Sequence, residues 1–230
     1  MSYTYEFARP ALTVDAVVFA LDEAELKVLL IRRGLDPSKG KWALPGGFVR
    51  VDESLSDAVA RELEEETHLR CSYLEQLGAW GEPGRDPREH VVTVAWYALV
   101  RLSEESITGD TDAEDAAWHS LDDLPELAFD HADILQAAHQ RLRQRLSQKP
   151  IGFELLPEKF PLRDLQNLYE QVLGHPLDKR NFRKKTLATG VLEELDEWEK
   201  DVQHRAARMY RFNQKAYKQK VKDGWVFEVA

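Results

Sequence analysis

A run of acidic side chains follows a Gly-Gly pair in the segment GGFVRVDESLSDAVARELEEETHL, residues 46–69. If this segment is helical at about 100° per residue, Glu62 and Glu66 lie within about 20° of Leu55, in the centre of an apolar stripe. Glu65 lies on the edge of that stripe. Carboxylates on a partly buried face must be protonated, paired with a base or bridged by a cation, because burial disfavours their charged form.

Clustered carboxylate oxygens are hard ligands that suit Mg²⁺ or Mn²⁺. Mg²⁺ usually reaches a protein through few carboxylates while substrate phosphates complete its shell, so a diphosphate ligand is expected beside this helix. The alternative is a solvated acidic helix end. The position of the acids on the apolar stripe argues against that alternative.

The same segment resembles the Nudix family, whose pattern is G-x5-E-x7-R-E-U-x-E-E-x-G-U. The positions that match are Gly47, Glu53, Arg61, Glu62, Leu63, Glu65, Glu66 and Leu69. One position departs from the pattern, because His68 stands where the family has Gly. The departure puts the turn that leaves the helix, and with it catalysis, in doubt.

The resemblance implies a role for each matching residue. Glu62, Glu65 and Glu66 are expected to bind divalent cations, and Arg61 with Glu53 to form an ion pair that orients the helix. These five residues are the expected catalytic set, in which metals activate water and neutralise a diphosphate. The general base is not identified by the sequence.

A loop further along the chain, in GRDPREHVVTVAWYALV, resembles the branch of the family that handles ADP-ribose, as does ELAFDHADIL. The alternative for the loop is an exposed turn stabilised by local charges. The expected ligand-binding residues are Arg33, Gly46, Gly47, Arg85, Asp86 and Arg88.

The length of 230 residues predicts two domains, which we place at residues 1–150 and 151–230. In the first, apolar stretches at 11–21, 26–33, 73–80 and 90–101 predict strands, and an acidic linker precedes a helix at 131–147 that ends at Lys149-Pro150. The expected fold class is α/β (α+β), a Nudix α/β/α sandwich with a mixed sheet.

Net charge differs sharply between the two predicted domains. Residues 1–150 hold 16 Lys and Arg against 28 Asp and Glu, which gives −12, whereas residues 151–230 hold 15 against 13, which gives +2. Any contact with a polyanion is therefore expected in the second domain.

The second domain has the order of a winged helix-turn-helix. Pro161 opens a helix that stops at Gly174, and a second helix stops at Gly190. A possible hairpin follows. Together with the first domain, this order resembles the NrtR-type regulators, Nudix-related repressors of NAD-metabolism genes, although related regulators serve sugar catabolism and the regulon stays open.

The predicted DNA-binding residues form two basic groups. The second helix should present bases to phosphates and base edges, and the hairpin should act as a wing, while Phe182 and Leu187 pack inside. A solvated basic helix face is the alternative. The predicted contacts are Lys179, Arg180, Asn181, Arg183, Lys184, Lys185, Arg205, Arg208 and Arg211.

Two functions follow as hypotheses. The first is a DNA-binding transcriptional repressor that senses ADP-ribose, a homodimer on double-stranded DNA. The alternative is a Mg²⁺- or Mn²⁺-dependent ADP-ribose pyrophosphatase, and both functions can coexist. A lone cysteine, Cys71, and an N-terminus without a basic start or a long apolar run predict a cytoplasmic protein with no membrane segment.

Overall fold

The computed structural model describes residues 6–22, 24–71, 73–102, 116–200 and 205–225. The chain divides into two compact units. Unit 1 comprises Met1–Phe19, Lys27–Val100 and Thr108–Ala138. Unit 2 comprises Ala20–Leu26, Arg101–Ile107 and His139–Ala230.

A seven-stranded sheet is the centre of unit 1 in the part of the chain that the structure describes. Its strands are β1 (Ala11–Asp22), β2 (Glu25–Arg32), β3 (Trp42–Ala43), β4 (Gly46–Phe48), β5 (Tyr73–Trp80), β6 (Val91–Val100) and β7 (Ala116–Ser120). The order β3-β2-β1-β6-β5 places β1 in the middle, and β4 pairs with β1 while β7 pairs with β2. Residues 13–20 of β1 are all buried, as an apolar central strand requires.

Two helices complete unit 1. Helix α1 (Leu55–Thr67) begins at Ser54, whose hydroxyl accepts a hydrogen bond from the Asp57 amide at 3.2 Å. It buries Ala58, Val59 and Leu63, the predicted apolar stripe. Helix α2 (His131–Gln148) starts in unit 1, and its residues from 139 onward belong to unit 2.

Unit 2 is built from short helices and a three-stranded sheet. After a 3₁₀ turn (Ile151–Leu155) come β8 (Phe160–Pro161), α3 (Leu162–Leu173), α4 (Lys179–Ala188), β9 (Leu192–Trp198), β10 (Arg208–Phe212) and α5 (Gln214–Lys222). The sheet order is β8-β10-β9. Its core contains aromatic contacts, including a stack of Phe153 on Phe212 with ring centroids 4.3 Å apart.

The helices of the predicted helix-turn-helix have the expected limits. Helix α3 follows Pro161 and ends at Gly174, which has a φ of 76°. Phe182 of α4 is buried, but the prediction that Leu187 packs inside is wrong, because its exposed fraction is 37%. Strand β7, within the acidic linker, and helix α5 were not predicted from the sequence.

His68 explains why the family pattern has glycine at this position. It ends α1 in the left-handed conformation, with φ 56° and ψ 15°, while its amide donates to the Glu64 carbonyl at 3.1 Å. A β-carbon makes this conformation unfavourable by about 1–2 kcal/mol, whereas glycine adopts it freely. The turn that leaves α1 therefore keeps the helix-ending geometry despite the histidine.

We expect His68→Gly to raise the free energy of unfolding by about 0.5–1 kcal/mol, since part of the steric relief is offset by the greater backbone entropy of glycine. Urea denaturation followed by circular dichroism measures the change. His68→Ala is the control, because it removes the ring but retains the β-carbon. Equal stabilisation by Ala and Gly would show that the backbone conformation is not the cause.

Candidate functional site

A cleft of about 310 Å³ opens in unit 1. This volume is at the lower end of the range for small-molecule sites. The cleft is lined by residues of β1, β2 and β4, by Glu66 of α1, by the loop before β6 and by the start of α2. The six ligand-binding residues predicted from the sequence all lie in its lining, namely Arg33, Gly46, Gly47, Arg85, Asp86 and Arg88.

The buried part of the cleft is a polar cluster. Arg85 donates two hydrogen bonds to Asp130, at 2.6 and 2.8 Å, and lies 3.7 Å from a carboxylate oxygen of Asp15. The Leu44 amide donates to Nδ1 of His131 at 2.9 Å, so the proton of the neutral ring is on Nε2, 3.8 Å from Asp15. Burial lowers the pKa of His131, which keeps the ring neutral.

The exposed part of the cleft combines cations with aromatic rings. The guanidinium carbon of Arg33 lies 4.6 Å from the Phe129 ring centroid. Arg88 lies 5.6 Å from the ring of Phe48 and 6.0 Å from that of Phe129. Arg88 also donates to Asp86 at 2.6 Å, and this bond lowers the pKa of the Asp86 carboxyl. Two guanidinium groups and two aromatic faces can bind a phosphorylated ligand that carries a base.

Gly46 and Gly47 allow β4 to approach its neighbours closely. A β-carbon on Gly46 would lie 2.1 Å from the Val14 carbonyl oxygen, and one on Gly47 would lie 2.5 Å from Oε1 of Glu62. No other residue type fits at either position without displacing backbone or the glutamate. The Gly-Gly pair thus brings the β4 backbone against both β1 and α1.

Arg61 connects α1 to the loop before it. Its guanidinium donates to both oxygens of Glu53, at 2.9 and 2.6 Å, and these bonds lower the Glu53 pKa to about 2. The same group donates to Glu62 at 2.6 Å, to Glu65 at 3.1 Å and to the Phe48 carbonyl at 3.2 Å. Five hydrogen bonds to one partly buried arginine fix the acidic face of α1.

Glu66 differs from the other acidic residues of α1. It lines the cleft and accepts a hydrogen bond from the Gly46 amide at 2.8 Å. Burial, assisted by the charges of Glu62 and Asp15, raises its pKa to about 7. Glu66 is therefore partly protonated at neutral pH.

The carboxylates of Glu62, Glu65 and Glu66 supply the hard oxygens that Mg²⁺ prefers. Their arrangement does not form a metal centre as it stands. Arg61 bonds both Glu62 and Glu65, and within the described residues no group of three His, Cys, Asp or Glu side chains is placed to hold an ion. A cation would have to displace Arg61 from two of these carboxylates.

The basic surface predicted in the second domain lies on α4. Asp178 caps this helix by accepting a hydrogen bond from the Asn181 amide at 2.7 Å. Each predicted DNA-binding residue of α4 is exposed, and none of its Lys or Arg side chains forms an ion pair with a described residue; they are Lys179, Arg180, Asn181, Arg183, Lys184 and Lys185. The positive charge of α4 is available to a ligand.

The arginines of the predicted wing have acidic partners. Arg208 bonds Glu194 across the β9–β10 pair and lies 5.0 Å from the Trp198 ring. Arg211 bonds Glu193 at 3.0 Å. Arg205 is exposed just before β10. The acids of β9 thus neutralise much of the charge of β10.

Several residues that line the cleft were not predicted as site residues from the sequence. They are Thr13, Asp15, Phe48, Phe129 and His131. Asp15 had a detectable signal, since a carboxylate inside the apolar strand TVDAVVFA is unusual unless it is paired. His131 and Phe129 lie in the segment ELAFDHADIL that carried the resemblance, but nothing in their spacing shows that they reach the same cleft as Asp15.

Comparison with known proteins assigns both units. The Nudix domain model matches residues 10–138, and the model of the NrtR DNA-binding winged helix domain matches residues 152–212. The chain is 39% identical over 213 residues to the ADPR responsive transcriptional repressor NtrR of Acinetobacter baylyi, covering 90% of this chain and 84% of that protein.

Solved structures of Shewanella oneidensis NrtR are similar to the chain. Shewanella oneidensis NrtR complexed with a 27mer DNA has a TM-score of 0.80 and 33% identity, covering 94% of this chain and 97% of that one. The Nudix domain of Shewanella oneidensis NrtR complexed with ADP ribose has a TM-score of 0.53 and 40% identity, covering 59% of this chain and 90% of that one.

Fold and site together define a protein in which a Nudix domain precedes a winged helix domain, and the predicted fold class is confirmed. The chain belongs to the NrtR family. Among the described residues, no helix combines the length and the apolar character needed to cross a membrane.

The raised pKa of Glu66 predicts how stability depends on pH. Between the ordinary value of 4.5 and about 7, the folded protein keeps a proton that the unfolded chain releases, so stability falls as pH rises through this range. This titration costs the parent about 1–3 kcal/mol of unfolding free energy, and Glu66→Gln lacks the titrating group. We therefore expect the variant to be more stable than the parent at pH 8 but not at pH 4.5. Chemical denaturation in EDTA at both pH values measures this. Parallel pH profiles for the two proteins would contradict it.

Proposed function

We propose that this protein is a transcriptional repressor that responds to ADP-ribose, with the effector bound by unit 1 and DNA bound by unit 2. The observation that carries the proposal is the combination, in one chain, of a cation- and aromatic-lined cleft with a helix-turn-helix whose exposed cations are unpaired. The names of its relatives, an ADPR responsive repressor and an NrtR bound to DNA, support it.

The cleft matches the chemistry of ADP-ribose. Arg33 and Arg88 supply guanidinium groups for the diphosphate, and Phe48 and Phe129 supply faces for the adenine ring. Asp86 accepts hydrogen bonds from ribose hydroxyls. Arg85 acts indirectly, because its guanidinium is already bonded to Asp130 and holds the start of α2 in place.

DNA is bound by the exposed face of α4. Arg180, Asn181 and Arg183, near the start of the helix, reach base edges or phosphates, as in other helix-turn-helix proteins. Lys179, Lys184 and Lys185 add phosphate contacts. Arg205, Arg208 and Arg211 contact the backbone from the wing only if Arg208 and Arg211 exchange their acidic partners for phosphate.

The active form is a homodimer, and its operators are palindromic, because two copies of α4 related by a twofold axis read two half-sites. The target genes belong to NAD metabolism or a related pathway. We place the domain boundary between residues 150 and 151, which Pro150 after α2 supports. The protein acts in the cytoplasm, where its DNA and its nucleotide effector are both present.

For ADP-ribose to relieve repression, ADP-ribose and DNA must favour different arrangements of the protein. An effector shifts DNA binding only by as much as its own affinity differs between those arrangements. We therefore expect ADP-ribose to weaken operator binding, with a reciprocal loss of ADP-ribose affinity on the operator complex.

Two variants separate sensing from DNA binding. We expect Arg88→Ala to bind DNA normally while losing the response to ADP-ribose, since it removes a diphosphate ligand from the cleft.

We expect Arg183→Ala to bind ADP-ribose normally while losing DNA affinity, with a salt slope lower by about 1 if the contact is to phosphate. Gel shifts on the protein's own upstream DNA, with and without ADP-ribose, and calorimetry with ADP-ribose are the measurements.

Arg70→Ala is the control, because among the described residues this exposed arginine pairs only with Glu64, on the solvent side of α1. It should behave as the parent in both assays. Absence of sequence-specific binding by the parent protein at moderate salt would overturn the proposal.

A second function, hydrolysis of ADP-ribose to AMP and ribose 5-phosphate, is favoured by the presence of all four glutamates of the Nudix pattern. Glu66 reaches the cleft, while Glu62 and Glu65 are bonded to Arg61. Mg²⁺ or Mn²⁺ would be the cofactor, held by the carboxylates after Arg61 moves. The NrtR-type regulator is the first candidate, because two relatives that cover both units are an ADPR responsive transcriptional repressor and an NrtR complexed with DNA.

The hydrolase hypothesis predicts release of AMP from ADP-ribose in the presence of Mg²⁺, and at least a 100-fold loss of that rate, on an order-of-magnitude estimate, in Glu66→Gln. Chromatographic detection of AMP measures both. Conservative substitution keeps the hydrogen bond to Gly46, so the variant is expected to fold. Equal product formation by parent and variant would mean that α1 is not the catalytic element.

A further inference from the structure

Helix α5 lies beyond the part of the chain that the winged helix model matches, which ends at residue 212. It has the sequence QKAYKQKVK, with four lysines and no acid. It starts at Asn213, whose side chain accepts a hydrogen bond from the Ala216 amide at 2.9 Å. A well-capped, strongly basic helix therefore follows the wing of a chain whose net charge is −10.

Three of these lysines share one face of α5. Lys215, Lys218 and Lys222 have the spacing i, i+3 and i+7, which places them within about 60° of each other around the helix. All three are exposed. Their α-carbons span about 10 Å along the helix axis at about 1.5 Å per residue.

The charges of this face have no acidic partner among the described residues, since no ion pair or other interaction is recorded for Lys215, Lys218 or Lys222. The wing differs. Arg208 and Arg211 there are bonded to Glu194 and Glu193. In unit 2, the unpaired cations are thus concentrated on α4 and α5 and not on the β9–β10 wing.

Contacts within unit 2 hold α5 beside the end of α4. The Asn213 amide donates to the Val191 carbonyl at 2.7 Å, just after α4 ends. Lys220 lies against Gly190, where an added β-carbon would be 3.6 Å from Nζ. The Tyr217 ring contacts that of Phe212 at 5.9 Å. These contacts use the opposite side of α5, so the lysine face projects outward from unit 2.

We propose that the Lys215–Lys218–Lys222 face of α5 is a second DNA-contacting surface, which binds phosphates flanking the segment that α4 reads. A row of about 10 Å corresponds to about three phosphate-to-phosphate intervals of one strand, each about 3.4 Å along the duplex axis. The contacts are to the backbone, so they add affinity and salt dependence without adding sequence preference. This inference rests on the proposed DNA-binding function and assigns a new surface to it.

The test uses the full chain and two duplexes of 40 base pairs, one selected by the protein from a random library and one of scrambled sequence. We expect the variant Lys215→Gln, Lys218→Gln, Lys222→Gln to lower the slope of log affinity against log salt concentration by about 2.7 on both duplexes. The preference for the selected duplex over the scrambled one should stay the same. Fluorescence anisotropy between 50 and 200 mM KCl, as an approximate range, suits the expected affinities.

The triple Lys-to-Arg variant at the same positions is the matched control, because it keeps the charge and should keep the slope. Circular dichroism with thermal unfolding checks that unit 2 of each variant is folded. An unchanged slope and affinity in the Gln variant overturn the inference, whereas a changed duplex preference assigns α5 to base recognition and overturns its phosphate role. If the parent protein binds neither duplex, the proposed function itself fails, which is a separate result.

Discussion

The cleft depends most on the hydrogen bonds that the guanidinium of Arg61 donates. This guanidinium holds Glu53, the Phe48 carbonyl and two glutamates of α1 at once, so the β4 loop and the acidic helix cannot move independently. Arg61 bonds Glu62 and Glu65, and of the three pattern glutamates within α1 only Glu66 lines the cleft. Burial without an arginine partner then gives it the raised pKa. One side chain therefore sets both the shape of the cleft and the charge of its wall.

The elements of unit 2 differ in whether their basic side chains have acidic partners. Acids of β9 and basic residues of β10 face each other across a sheet, an arrangement that stabilises antiparallel strands modestly and leaves little net charge. Helices α4 and α5 have no such compensation among the described residues. The sequence predicts DNA contacts both on α4 and in the wing, but only the ion pairs of the folded chain show which charges a polyanion can bind without displacing an existing partner.

Sequence patterns predicted the elements whose information is local. The apolar stripe of α1 and the ends of α3 and α4 near Gly174 and Gly190 depend on residues a few positions apart. The cluster of Asp15, Arg85 and His131 could not be predicted in the same way, because it joins three distant segments through the sheet. The prediction that Leu187 is buried was wrong for a related reason. Its helical spacing allows burial, but the neighbouring elements do not cover it.

Helix α2 contributes residues to both units. Its first residue, His131, lines the cleft of unit 1, where its ring accepts a hydrogen bond from the Leu44 amide. Its residues from 139 onward belong to unit 2, where Arg143 donates to the Val172 carbonyl at 2.6 Å and the Leu146 carbonyl accepts from Tyr169. The apolar spacing that predicts this helix is local, whereas the partners at its two ends come from distant segments of the chain. A sequence pattern can therefore predict the helix but not the contacts that it makes.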